Sequence, residues 1–295
     1  MLDQSTESLF KRARAKYLSD ALVIQLLDHN PHSFLGSSYS RTRGCNEVLA
    51  QNGQRLTATY CKNRWCATCN RIRMAKLING YEPVLTSFKS PYFVTLTKQT
   101  VEAVGLADSI KLMNATWRTI VNDRYGRKQK IKGVRKAECT IRPNDKYHYH
   151  FHVIVEGKEN AEWLVNRWLA VMGDLAKPDA QDIRVADRGS LKELFKYFTK
   201  LTAKGAGSLI DYKRMDVIFT ALRGKRVYQP FGGVKPISEE IDDVQSVDYD
   251  FLENAQQLWC WDVDDWINDV EDRLTGHHPS DRLKAYFELK TLSET

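Results

Sequence analysis

No apolar run in the sequence reaches the length that spans a bilayer. The opening stretch, MLDQSTESLFKRARAKYLSD, has no apolar core of the kind a secretory signal carries. Both absences point to a cytoplasmic protein without membrane contact, where thiols stay reduced. Its six cysteines are then expected to bind metal or to be buried, not to form disulfides. Repeats and low-complexity tracts are also missing, and hydrophobic residues at 42% and charged residues at 27% describe a globular chain. Acid is scarce over most of the length. Residues 239–295 hold 16 acids and 4 Lys/Arg, leaving 40 Lys/Arg against 21 acids in residues 1–238. A body with net charge +19 followed by a segment at −12 is the footprint of a polyanion-binding protein, most simply one that binds nucleic acid.

Three segments are expected: a basic N-terminal part, 1–85, with a cysteine cluster; a central domain, 86–238; and an acidic C-terminal segment, 239–295. Periodicity predicts a helix over 9–27, then a polar loop. Cys61, Cys66 and Cys69 stand in C-x4-C-x2-C spacing, with Cys45 upstream. The closing C-x2-C is a knuckle that brings two thiolates to one tetrahedral ion, so the four thiols are a candidate structural zinc site. Arg64, Arg71 and Arg73 surround them and are candidate phosphate contacts. Gly80, Pro83 and Pro91 mark residues 80–90 as a junction. Cys139 and Cys260 are isolated and read as buried.

A strand is expected over 92–98, an amphipathic helix over 107–123 with Ile110, Met113, Trp117 and Ile120 on one stripe, and a basic loop after it. That loop, with Arg124, Arg127, Lys128, Lys130 and Lys132, is a second candidate DNA contact. Residues 134–142 and 148–155 alternate about a Pro143-Asn144-Asp145 turn and read as a β-hairpin. Tyr149, Phe151, Val153 and Val155 point one way, and His148, His150 and His152 the other. If the apolar faces coincide, paired residue numbers sum to an even value, which sets Glu138 across from His150 or His152. Two imidazoles and a carboxylate make a three-ligand cation site, open where a substrate oxygen could bind. The plainer reading is a pair of surface histidines beside a strand glutamate.

A further helix is expected over 160–173, a strand over 182–185, and a helix over 190–204 whose buried stripe is Leu191, Leu194, Phe195, Phe198 and Leu201. Tyr197 falls off that stripe, on the polar side with Glu193 and Lys200. Ser190-x-x-Glu193 also fits a helix-capping box, so Glu193 has both a structural and a chemical reading. GKRVYQPFGG reads as a basic strand ending in a tight turn. The acidic segment after it could be a docking peptide, a dimerisation helix or a mimic of DNA charge. The element order suits an α+β fold, an antiparallel central sheet with helices packed on one face.

Taken together, these motifs resemble the rolling-circle replication initiators of the HUH endonuclease superfamily, above all the single-tyrosine initiators of small bacterial plasmids. Phe93-Val94-Thr95-Leu96-Thr97 looks like the first motif of that family and His150-Phe151-His152 like its metal motif. Glu193-Leu194-Phe195-Lys196-Tyr197-Phe198-Thr199-Lys200 is similar to its E-x-x-K-Y-x-x-K helix. CKNRWCATCNRIR and GKRVYQPFGG resemble its flanking segments. Tyr149 stands where family members often carry proline, and the acidic segment has no counterpart. The resemblance implies an HUH fold and nicking of single-stranded or hairpin origin DNA. It implies Tyr197 as nucleophile and a 5′-phosphotyrosine with a 3′-OH primer. Mg2+ or Mn2+ would sit at His150, His152 and Glu138, with Lys196 and Lys200 beside the phenolate and Glu193 as general base. Host helicase and polymerase, and a homodimer, are implied partners. A non-catalytic zinc-containing DNA-binding repressor and a single-tyrosine transposase or relaxase are the alternatives.

Overall fold

The computed structural model describes residues 6–122, 131–195, 212–237, 250–281 and 284. In chain order the elements are α1 (Thr6–His29), α2 (Gly36–Arg43), β1 (Val48–Asn52), β2 (Arg55–Ala58) and α3 (Ala67–Thr86). Next come β3 (Pro91–Thr97), α4 (Leu106–Asn122), β4 (Gly133–Arg142), β5 (Lys146–Glu156), α5 (Lys158–Met172), β6 (Asp182–Val185) and α6 (Arg188–Phe195). Last are α7 (Tyr212–Leu222), β7 (Tyr228–Phe231), β8 (Gln257–Asp262) and β9 (Asp265–Ile267). The chain divides into two units: Met1–Arg73 with Asp211–Asp216 and Asp242–Thr295, and Met74–Ile210 with Val217–Ile241. No helix among the described residues is long and apolar enough to cross a membrane.

The second unit is α+β. Its five-stranded sheet has the order β6-β3-β5-β4-β7, and every neighbouring pair is antiparallel. On one face Phe151 meets Trp117 of α4 and Trp168 of α5 edge-on, with ring centroids 5.9 and 5.7 Å apart. The α4 stripe Ile110, Met113, Trp117 and Ile120 is buried as its spacing predicts. The other face carries His150 and His152. Beyond them, α6 and the C-terminal half of α3 close over the sheet, where Tyr81, Leu85, Leu191 and Leu194 pack with Phe93 and Ile154. Helices therefore cover one face fully, as expected, and add a partial layer on the other. The segment expected as a junction is instead helical: α3 runs through Gly80 and Pro83. Proline costs the helix a hydrogen bond, but burial of Leu77, Tyr81 and Leu85 outweighs it. β7 ends as expected in a tight turn. Gly232 sits there at φ 67°, and an added Cβ would lie 2.0 Å from the Ile131 carbonyl oxygen, so only glycine fits.

The first unit is built on a four-stranded sheet, β2-β1-β8-β9. β8, from the acidic segment, pairs with β1 in the register Leu49↔Trp259 and Val48↔Cys260. Helix α1 covers this sheet through Ala13, which packs with Leu49, Ala58 and Trp266. Arg12 of α1 donates to Asn46 Oδ1 at 2.6 Å and to the Tyr60 hydroxyl at 2.8 Å. Two local expectations change. The polar loop after α1 contains α2, and Cys260 is exposed because its side chain points off the solvent side of β8.

Candidate metal centre and cysteine element

Three turn residues set the geometry of the histidine face. Asn144 and Asp145 adopt φ of 57° and 55°, the left-handed conformation that these two residue types tolerate best among those with side chains. The turn pairs Arg142 with Lys146, and the ladder carries that register to Glu138↔His150 and Lys136↔His152. Glu138 therefore lies directly opposite one imidazole and diagonal to the other. One ligand atom from each of Glu138, His150 and His152 lies within 4.8 Å of the others, and all three residues are buried. Glu138 Oε2 is 3.7 Å from His152 Nε2.

Outer contacts orient both rings. His150 Nδ1 lies 3.1 Å from the His148 carbonyl oxygen. A carbonyl only accepts, so Nδ1 carries the proton and the lone pair is on Nε2, the arrangement of a metal-ligating histidine. His152 Nδ1 contacts Thr95 Oγ1 at 3.3 Å, and its ring packs against Phe93 at 5.1 Å. The FVTLT strand thus supports the site: Thr95 pairs with His152 and Thr97 with His150. His148 stacks on His150 at 4.9 Å. Burial, helped by the neighbouring His150 ring and the positive charges of Arg142 and Lys98, pushes its pKa down to about 4, so it stays neutral at physiological pH. The donor set, two imidazoles and a carboxylate on a buried face, fits a divalent cation.

Helix α6 reaches the same face. Glu193 Oε2 accepts a hydrogen bond from Arg184 at 2.8 Å, and the Arg184 guanidinium lies 4.3 Å over the Phe93 ring. The capping-box reading of Glu193 is overturned. Asp187 caps the helix, taking the Ser190 amide on Oδ1 at 2.7 Å, while Ser190 Oγ accepts the Asp187 amide at 3.2 Å. The helix begins earlier than 190, which puts Ser190 at the position expected of Glu193. Lys136, which sequence reasoning passed over, donates to Glu138 Oε2 at 2.9 Å and to the Glu193 carbonyl oxygen at 3.3 Å. Lys196, Tyr197 and Lys200 lie outside the described residues, as do Arg124, Arg127, Lys128 and Lys130.

In the first unit Cys45, Cys61, Cys66 and Cys69 converge. Sγ–Sγ distances are 3.5 Å for Cys45–Cys69, 3.7 Å for Cys61–Cys69 and 3.6 Å for Cys45–Cys66. Tetrahedral zinc with Zn–S bonds near 2.3 Å sets its sulfurs about 3.8 Å apart, so the cluster has the right size. Amide N–H groups of Cys61, Asn63 and Cys69 donate to Cys45, Cys61 and Cys66 sulfurs at 3.4 to 3.5 Å, as thiolates require. Hydrogen bonds among the sulfurs push the Cys45 thiol up and hold Cys61 down. Arg71 Nη1 donates to the Ser8 carbonyl and Arg73 Nη2 to the Lys62 carbonyl, at 3.3 and 2.9 Å. Both arginines brace the cysteine element. Arg64 is half-buried beside it. In the second unit Lys132 is paired with Glu156 at 2.6 Å.

Residues 53–160 match a family model described as a replication protein. A curated relative named Protein rep, from Lentilactobacillus hilgardii, is 28% identical in an alignment of 128 residues that covers 39% of this chain and 41% of the relative. No solved structure matches the chain. The matched segment carries three of the four cysteines, the FVTLT strand, Glu138, His150 and His152. The chain's resemblance to plasmid rolling-circle replication initiators therefore stands on a replication-protein match as well as on its motifs.

Proposed function

We propose that this protein is a rolling-circle replication initiator that nicks single-stranded origin DNA through Tyr197. The observation that carries this reading is the convergence of Glu138, His150 and His152 within 4.8 Å on the face that α6 overhangs. His150 and His152, oriented from behind by His148 and Thr95, would hold the cation with Glu138. A bound Mg2+ or Mn2+ supplies positive charge to a non-bridging phosphate oxygen, which offsets the repulsion a phosphodiester presents to a nucleophile. The Tyr197 phenol oxygen attacks phosphorus in line. The Tyr197 O–P bond forms as the P–O3′ bond breaks, the phenol proton is released, and the 3′ oxygen takes up a proton to become the primer hydroxyl. Lys196 and Lys200 stabilise the phenolate, whose unperturbed pKa is near ~10.

After a round of synthesis, Glu193, its carboxylate oriented by Arg184, takes a proton from a water whose oxygen bonds to phosphorus at the regenerated nick site. The P–O3′ bond breaks as that bond forms, and the 3′ oxygen takes up a proton to leave the displaced strand with a free 3′-OH. Residues 124–132 and the arginines of the cysteine element, Arg64, Arg71 and Arg73, track phosphates of the unpaired strand. The cysteine element holds zinc through Cys45, Cys61, Cys66 and Cys69. A hairpin loop at the origin is the fitting substrate, because a paired strand cannot reach in-line geometry over a sheet.

The test is mass spectrometry after incubation with an origin oligonucleotide and Mn2+. A nucleotide adduct on Tyr197, and loss of nicking in Tyr197→Phe, are expected. Undiminished nicking by Tyr197→Phe overturns the mechanism. Tight DNA binding with no cleavage by the wild type would favour the repressor.

A further inference from the structure

Lys136 is the residue of the histidine face that the nicking scheme leaves unused. Its side chain is 1% exposed, and a buried ammonium is costly unless it is well paired. The strand alternation that gathers the ligands also aims Lys136 at them: it pairs with His152 across the ladder and stands two residues before Glu138, on the same face. Its Nζ lies 2.9 Å from Glu138 Oε2. That oxygen is also the one 3.7 Å from His152 Nε2, so a single carboxylate oxygen stands near both the ammonium and an imidazole nitrogen. The second Nζ contact, 3.3 Å to the Glu193 carbonyl oxygen, fixes the ammonium between β4 and α6.

We propose that Lys136 is a resident counter-cation of this site, sharing the Glu138 carboxylate with the divalent metal and lowering the site's affinity for it. The inference rests on the metal-site reading of Glu138, His150 and His152. Two positive charges draw on one buried carboxylate, and in a site shielded from water their mutual repulsion is weakly screened. The metal is therefore held loosely by the protein alone, and gains its remaining charge balance from the DNA phosphate. A simple structural pin between β4 and α6 would leave metal affinity unchanged when its charge is removed, so affinity is the discriminating readout.

The experiment titrates the full chain with Mn2+ alone, without DNA, and reads free Mn2+ by electron paramagnetic resonance. Lys136→Gln keeps a polar, hydrogen-bonding side chain one atom shorter but removes the charge, whereas Lys136→Arg keeps the charge. Lys136→Gln is expected to bind Mn2+ at least about tenfold more tightly than the wild type, and Lys136→Arg to stay near it. Folded Lys136→Gln, with unchanged far-ultraviolet circular dichroism and no tighter Mn2+ binding, overturns the proposal. Should that variant not fold, Lys136→Met, which also removes the charge and leaves Glu138 in place, is titrated in its stead. Tighter Mn2+ binding by Lys136→Met than by the wild type supports the proposal, and equal or weaker binding overturns it. His150→Ala separates the two readings. If wild-type Mn2+ binding does not depend on His150, the metal site itself is wrong and the proposal falls with it. If it does, the Lys136 variants alone decide.

Discussion

Glu193 accepts from Arg184 through its carboxylate and from Lys136 through its backbone carbonyl, while the helix start is secured by Asp187 and Ser190. Stability and chemistry at α6 are therefore separable by substitution. Ser190 is fully buried and its hydroxyl serves the Asp187 amide, the Asp187 carboxylate and Arg184. Ser190→Ala is expected to lower stability by about 1–2 kcal/mol in urea unfolding. Glu193→Ala removes an ion pair whose partners are 39% and 42% exposed, so it should cost under about 1 kcal/mol. If Glu193→Ala proves the more damaging of the two, the cap assignment is wrong. At this scale the sequence is an uneven guide. The parity that sends Tyr149 and Phe151 one way and His150 and His152 the other is written in the alternation. Asp187 was hidden because two overlapping S/D-x-x-polar patterns fit the same stretch, and a shift of one turn chooses between them. Lys136 was hidden because a strand lysine in a basic chain looks like a surface residue until a fold buries it.

The hairpin and the cysteine element show why some elements are readable and others are not. A three-residue turn with Asn and Asp in the left-handed region determines which residue faces Glu138, and everything needed lies within one short window. The C-x2-C knuckle is equally local. Ser19 of α1 strengthens it by accepting the Ala67 amide at 2.9 Å and contacting Cys66 Sγ at 3.6 Å. α3 shows the opposite case, since the local breaker signal of Gly80 and Pro83 loses to the burial of a helix face that only the folded sheet supplies. If the four sulfurs hold zinc, metal analysis of the purified protein should give a single zinc equivalent that Cys66→Ser abolishes. Chelation should then lower the melting temperature, because the four clustered thiols lose the cation that joins them. A zinc-free protein whose melting temperature ignores chelators would refute that expectation.

The charge asymmetry of the whole chain suggests an acidic appendage, yet β8 pairs with β1 across some two hundred residues of sequence. No local pattern encodes such a pairing, because the energy that rewards it comes from a partner that is distant along the chain. Trp266, in β9, is fully buried. Its indole Nε1 donates to the Asn46 carbonyl at 3.0 Å, beside Cys45, and its ring lies 5.9 Å from the Arg12 guanidinium of α1. The C-terminal segment thus supplies two strands and a core tryptophan to the unit that holds the cysteines. Deleting residues 239–295 should not simply unmask a more basic protein. It should strip β1 of a neighbour, open the core around Leu49 and Ala58, and release whatever metal the cysteines hold. Trp266→Ala isolates the packing part of that effect, because it leaves every acid in place. Its expected cost is about 3–5 kcal/mol, seen as early loss of the first unit in thermal unfolding and as weaker zinc retention. If the truncated chain keeps its zinc and its melting temperature, and gains only DNA affinity, then β8 and Trp266 do not hold the first unit together and the acidic segment is an electrostatic attachment.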